Sequence, residues 1–341
     1  MFCWSSFVQK NIVLGLALGL LGAASQGMAA ETIKLGTAKL TATGPIYIAQ
    51  AKGYFAAEGL NVEVNYVETA QAISVAVTSG AVDIGDSAFS AAFFSLAGQG
   101  ALKLIGGQAR DVPGFKTFAA ITSNKAYNAG LKTFDDLGGH VLGNTQVGSA
   151  FQYIFSLIAA KRGIDPQSLH FLPPLQSMPN VLTAVRGNQA DAAIVTGFLA
   201  GPAVGRGDVH LLGWTGTEVS YQAGGLYISA KTADTRRPMV EAFLRAFRKG
   251  SQDYHDAFTG ADETRQDQPT ADAIAAIIAQ NTGQPIDDVK RTVSYDDPQA
   301  RLNVQDVLRQ AEWYKSHGMV KSEIDGQRAI DSRYVMPLPP S

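Results

Sequence analysis

The spacing of apolar residues changes period partway through residues 141–162, VLGNTQVGSAFQYIFSLIAAKR. Val141 and Leu142 begin a short apolar strand that breaks at Gly143 and Asn144, and the chain restarts as a helix near Gly148 and Ser149. Behind that start, Phe151, Ile154, Phe155, Ile158 and Ala159 recur at i, i+3, i+4, i+7 and i+8, which predicts one buried helical face. Ser149 and Gln152 stand at capping-box spacing, so each can satisfy the other's orphan backbone donor. The first turn of such a helix offers free N–H groups and a partial positive charge, a setting that suits an acidic ligand. Two readings of this stretch stand side by side: a ligand site at the helix start, or a cap on a core helix.

The same order of elements occurs twice. Residues 32–35 read as a strand, and a loop over 36–43 leads to a helix opening at Gly44 with Pro45 in the favoured first position. That helix is expected to end near Glu58 and Gly59. Residues 61–67 alternate as a second strand, residues 70–79 form a helix stopped by Gly80, and a strand follows over 82–85. In the second half the Ser149 helix ends at Gly163, residues 169–172 make a strand and 181–186 a helix, and 190–194 a strand. Two βαβ-type lobes facing each other imply a cleft between them.

Between and after these repeats lie further candidates. Asp86, Ser87, Ala88, Phe89 and Ser90 read as a polar turn at the C-terminal end of a strand, where open α/β sheets bind ligands. Thr196, Gly197 and Phe198 are its counterpart in the second lobe. Arg110 sits among small residues in a loop over 108–114; it either grips an anion in bidentate fashion or pairs with Asp111 at the surface. Residues 131–139 read as a short helix. Crossings between the lobes are expected near 118–123 and 220–227, with Gly224 and Gly225 supplying backbone freedom at the second. Closure of the cleft around ligand is expected to compact the molecule, and a bulky residue at Ser149 to block binding without unfolding. Amphipathic helices follow over 239–255, 271–280 and 304–317.

Composition narrows the class. With 341 residues, 46% hydrophobic and 17% charged, the chain can build two ordinary cores. A formal charge of −2 gives no support to nucleic-acid binding. Residues 1–30 read as a cleavable signal peptide: Lys10, an apolar run over 12–24, and small residues that fit cleavage after Ala29 or Ala30 equally well. The lone cysteine, Cys3, precedes the apolar run, so the exported chain is not a lipoprotein and has no disulfide, thiolate or cysteine metal site. The five histidines are scattered, and no HExxH, GxSxG, Walker or GxGxxG pattern occurs in the chain. An exported α/β protein with a cleft and no reactive constellation is expected to be a binder without enzyme activity, cofactor or metal.

Several segments resemble the periplasmic substrate-binding proteins of ABC importers. The branch is similar to the one that takes aliphatic sulfonates, taurine, nitrate and thiamine-pyrimidine precursors, the NMT1/THI5-like group. The likeness rests on residues 45–55 (PIYIAQAKGYF) with Gly59, Leu60, Asn61 and Val62, on 80–85 (GAVDIG), on 134–139 (FDDLGG), and on Val147, Gly148 and Ser149. It implies an α/β, two-lobed periplasmic-binding-protein fold of type II, two doubly wound sheets joined by a two-crossing hinge. The first lobe would hold residues 31–118 plus 224–335, the second 119–223, with a flexible tail over 336–341. Carried over position by position, the cleft would be lined by Lys39, Leu40 and Thr41, by Ser87 and Ala88, by Gly148 and Ser149, by 196–198 and by Tyr221. Phe89, Phe151, Phe198 and Tyr221 would supply aromatic walls.

The expected ligand is a small organic anion, a sulfonate or carboxylate, held on the N–H groups near Gly148 and Ser149 with Arg110. The alternative is a thiamine-precursor pyrimidine or other neutral heterocycle. Where many relatives carry an acid, or Trp followed by Pro, this chain has Thr196, Gly197 and Phe198, which leaves no obvious carboxylate for an amine-bearing ligand. The implied partners are an ABC permease and ATPase at the inner membrane, the protein itself being a periplasmic monomer. A sensor for a membrane receptor is a second class, and a periplasmic hydrolase or isomerase a third.

Overall fold

A computed structural model describes residue 1, residues 30–321 and residues 323–339. The expected signal peptide lies, but for its two end residues, outside the described residues. Four strands build the first half: β1 (Glu31–Thr37), β2 (Leu60–Tyr66), β3 (Ile84–Ala88) and β4 (Leu102–Gly107). The chain crosses through β5 (Arg110–Asp111) and builds β6 (Phe118–Thr122), β7 (Val141–Gly143), β8 (His170–Phe171), β9 (Ala192–Thr196) and β10 (His210–Trp214). It returns through β11 (Tyr221–Gln222) into β12 (Gly224–Ser229).

The first sheet runs β2-β1-β3-β12-β4 and the second β10-β6-β9-β7-β8. In each, the strand that runs against its neighbours is the one entered directly from a crossing: β12 is antiparallel to β3 and β4, and β6 to β9 and β10. The repeat visible in the sequence therefore extends to the strand order. The two crossings meet as an antiparallel ribbon, with Tyr221 opposite Asp111 and Gln222 opposite Arg110. These are two doubly wound sheets joined by a two-crossing hinge.

Burial explains the elements. In β1, Ile33 and Leu35 are buried while Lys34 between them is exposed, the period-two pattern of a sheet face. That face meets Val240, Phe243, Leu244 and Phe247 of the Arg237–Phe258 helix in one apolar cluster. Each such side chain removed from water contributes about 1.5–3 kcal/mol. β6 and β9 are buried along their whole lengths, as expected of strands inside a covered sheet. The helix expected from Gly44 to Glu58 is in fact two, Gly44–Ala51 and Tyr54–Ala57, because Gly53 adopts a left-handed conformation at φ 72°.

Four expectations change. Residues 131–139 hold only a single 3-10 turn, Phe134–Asp136, tied by Thr133 and Asp136; Gly138 and Gly139 follow too soon for a helix to propagate. Residues 118–123 are not a crossing, since β6 is an interior strand; the crossing precedes it. Gly224 and Gly225 are not loose either. They lie within β12, and a Cβ on Gly224 would stand 2.7 Å from the Ser87 carbonyl oxygen, so the glycines serve close packing. The segment 336–338 is tied down: Leu302 N–H donates to the Met336 carbonyl at 2.8 Å and Leu338 N–H to that of Leu302 at 2.9 Å. Residues 340 and 341 lie outside the described residues.

Candidate functional site

A cavity of about 110 Å³ lies between the two sheets, where β1 and β3 finish and β6 begins. From the first half come Thr37 and Thr43, the Asp86–Ala88 end of β3, and Glu68, Thr69, Ala70 and Ile73 around the start of the Ala70–Ser79 helix. Its opposite wall is Thr145, Gln146, Ser149, Ala150, Phe151 and Met178. Phe118 stands edge-on to Phe151, ring centres 5.3 Å apart. The walls touch beside the cavity: Ala91 N–H donates to the Gly148 carbonyl at 2.9 Å, and Gln71 N–H reaches Gln146 Oε1 at 3.4 Å.

Five of the candidates drawn from the sequence are brought together here: Leu40, Ser87, Ala88, Ser149 and Phe151. The other eight are placed elsewhere. Lys39 leans over the Tyr66 ring, 5.7 Å from its centre, and the Thr41 hydroxyl donates to the Thr292 carbonyl. Phe89 is fully buried against Phe93 and Phe94. Arg110 stacks on Tyr295 at 5.4 Å, and Tyr221 is buried opposite Asp111 in the crossing ribbon. Thr196 is buried at the end of β9, while Phe198 lines a separate groove with Lys116, Trp214 and Arg291. Gly148 abuts Ala91 outside the cavity. Asp86 through Ala88 are not a turn but the last residues of β3.

The helix start is wired differently from a simple capping box. Ser149 Oγ accepts from Gln152 N–H at 3.4 Å and donates to Asn144 Oδ1, and Gln152 Oε1 accepts from Gly148 N–H at 2.8 Å. The Gly148 donor and the Ser149 hydroxyl are thus already engaged. The amide N–H groups of Ala150 and Phe151 meet no acceptor among the described residues.

No lysine, arginine or histidine lines the cavity. What it does contain is Asp86, which is 2% exposed. Oδ2 accepts from the Thr37 hydroxyl at 3.0 Å, while Oδ1 is buried without a partner. Burial pushes this carboxyl up to about 7, against the hydrogen bond from Thr37. The sequence did name Asp86, but only as part of a turn; the available signal was a lone acid inside an otherwise small and apolar strand. Glu68, Thr69, Gln108 and Met178 carried no sequence signal for the site.

Asp86 is one of three buried acids raised by desolvation; Asp111 in the ribbon reaches about 7 and Asp296 about 8. Each folded value lies above the unfolded one. Between about pH 4 and those values the unfolded chain gives up its protons first, so the native state binds more and stability falls as pH rises. Above about pH 8 these groups add no further slope. Asp296→Asn is therefore expected to flatten the decline of the urea midpoint between about pH 5 and pH 8. An unaltered slope in the variant would mean that Asp296 ionises as an exposed carboxyl does.

The family model described as NMT1/THI5 like matches residues 41–257, well over half of the chain. The chain belongs to the NMT1/THI5-like family. No curated protein matches it. Among solved structures it is similar to the alkanesulfonate-binding protein SsuA from Xanthomonas axonopodis pv. citri bound to MOPS, with TM-score 0.70 and 18% identity over 89% of this chain and 99% of that one. The periplasmic aliphatic sulphonate binding protein SsuA of Escherichia coli gives TM-score 0.68 and 15% identity, over 91% and 94%. The periplasmic nitrate-binding protein NrtA of Synechocystis PCC 6803 gives 0.66 and 14%, over 87% and 84%. This NMT1/THI5-like chain thus has the two-lobed periplasmic-binding-protein fold of type II. Among its described residues no helix is long and apolar enough to cross a membrane.

Proposed function

We propose that this protein is the solute-binding component of an ABC importer. It is exported through a cleavable signal peptide over residues 1–30, and captures a small organic solute between its lobes for delivery to a membrane permease and its ATPase. The lobes are residues 31–118 with 224–335, and 119–223, turning on the ribbon of β5 and β11. The observation that carries this reading is the mostly apolar cavity walled by both halves, in a fold shared with sulfonate-binding and nitrate-binding proteins.

The lining favours an uncharged or basic flat solute over the sulfonate or carboxylate expected from the sequence, because it presents two acids, Asp86 and Glu68, and no cationic side chain. A small anion remains the second reading, favoured by the two free N–H groups at Ala150 and Phe151. Among the lining residues the hydroxyl of Thr37 meets the Asp86 carboxyl, but no histidine, lysine or cysteine stands there to complete a nucleophilic constellation, which supports binding rather than turnover. Mass spectrometry of small molecules released by denaturing protein taken from the periplasm should return one organic solute in near-stoichiometric amount. Recovery of a chemically altered product after incubation with that solute would sink the binder reading.

A further inference from the structure

Resting on that reading of the cleft, we propose that Asp86 selects the ligand: its carboxyl belongs to the cavity lining, and the unpartnered Oδ1 accepts an N–H from a basic group, an amine or amidine, on a small flat body. The sequence argued against amine-bearing ligands because the second lobe lacks an acid at the expected place. The acid is supplied instead by the first lobe, at the end of β3.

The geometry supports this step by step. Thr37 holds one carboxylate oxygen in place at 3.0 Å, and Thr37 is itself 3.2 Å from the Thr43 hydroxyl, so the carboxyl is oriented before any ligand arrives. The other oxygen is buried and unpaired, an unfavourable state that a donor from the ligand relieves. Phe151 and Phe118 provide an apolar wall for a ring, and Glu68 adds a second acid to the lining. The charged or titratable groups near Asp86 are Tyr47 on the Gly44–Ala51 helix, Tyr227 on β12 and Asp296 from the C-terminal segment. Burial raises both tyrosines and they stay neutral; Asp296 is an acid. None of these groups carries a positive charge to repel a cationic ligand, and the acids, Asp296 and Glu68, disfavour an anion near Asp86.

A pH dependence follows. Since the empty-site carboxyl sits at about 7, a cation must displace a proton to bind below that value. Affinity for a permanently protonated ligand should then rise about tenfold per pH unit below pH 7 and level off above it. A neutral ligand of the same shape should show little slope.

Benzamidine, benzamide and benzoate offer nearly one shape in cationic, neutral and anionic form, and calorimetric titration of each between pH 5.5 and 8.5 tests the assignment. The expected order is benzamidine, then benzamide, then benzoate, with at least about tenfold between the ends at pH 8. Benzamidine affinity should rise with pH below about 7, benzamide should stay nearly flat, and any benzoate binding should weaken over the same range. Asp86→Asn, nearly isosteric, should remove both the slope and the preference, its unfolding midpoint showing that it folds. Benzoate binding best, equal binding of all three, failure of benzamidine to bind, or a slope that survives in Asp86→Asn would overturn the proposal. Ala70→Trp, which fills the cavity, separates the two levels of inference. If it blocks the probes but they show no charge preference, only the role of Asp86 falls. If the probes bind it undiminished, the cleft itself is not the site.

Discussion

Replacing Gly250 by alanine is expected to destabilise the protein by about 3 kcal/mol, the upper end of what overpacking a well-filled core costs. Helix propensity argues the other way, since Gly250 lies inside the Arg237–Phe258 helix, where Ala should gain about 1 kcal/mol. Contact geometry decides the sign. A Cβ at this position would stand 2.1 Å from the Pro45 carbonyl oxygen and 3.1 Å from Ala49 Cβ, at the crossing with the Gly44–Ala51 helix. Backbone atoms of a packed helix cannot swing aside as a flexible side chain can, so the two helices must separate and surrender contacts beside Phe243 and Phe247. Gly205→Ala is the matching control. Gly205 is the last residue of the Gly197–Gly205 helix, with open space where its Cβ would go and no proline after it, and there a propensity gain should appear. Urea midpoints of the two variants should move in opposite directions; a Gly250→Ala midpoint at or above wild type would show that the helices do not meet this closely.

Much of the fold was legible because its signals are local. The helix over 70–79 and the strand at 141–143 were read directly from periodicity and punctuation, and the 150–162 helix from its cap and from Gly163, which takes the left-handed C-cap conformation at φ 68°. The βαβ repeat revealed two lobes for the same reason. What stayed hidden depends on contacts distant in sequence. Gly224 and Gly225 look flexible on paper, and only the neighbouring strand ends and Phe89 show that they are packing glycines. Residues 118–123 look like a connection because the partner strands β9 and β10 lie some seventy to ninety residues further on.

The lining of the cavity was visible in part. Ser149 and Phe151 were reached from a helix-start pattern, and Leu40, Ser87 and Ala88 from family resemblance; the cavity holds all five. Arg110 was attractive because an arginine among small residues suggests an anion clamp, yet Tyr295, far along the chain, takes its guanidinium face. Sequence gave no means of weighing that competitor. The largest revision concerns charge. An unpaired carboxyl inside a cleft could not be inferred from Asp86 alone, because a strand-end acid usually finds water or a cation, and here it finds only a threonine.

Filling the cleft should abolish binding while sparing the fold, provided the residue chosen is not itself structural. Ser149, the position singled out from sequence, fails that condition. It is buried, its hydroxyl links Asn144 to the helix start, and a tryptophan there would break both contacts. Ala70 meets it. It is half-buried at the first position of the Ala70–Ser79 helix, its methyl group lines the cavity, and the N-cap bond from Ala72 N–H to Thr69 Oγ1 does not involve its side chain. An indole projecting from this position has the bulk to occupy a void of about 110 Å³ and to rest against Phe151. Ala70→Trp is therefore expected to weaken benzamidine binding at pH 8 by at least about 100-fold, equivalent to about 2.7 kcal/mol. Its melting temperature should stay within about 3 °C of wild type, as for a substitution that leaves the core intact. Loss of binding with an intact melting transition assigns the solute to the interlobe cavity. Affinity within threefold of wild type would place it elsewhere, and the groove lined by Phe198, Trp214 and Arg291 would be the next position to block.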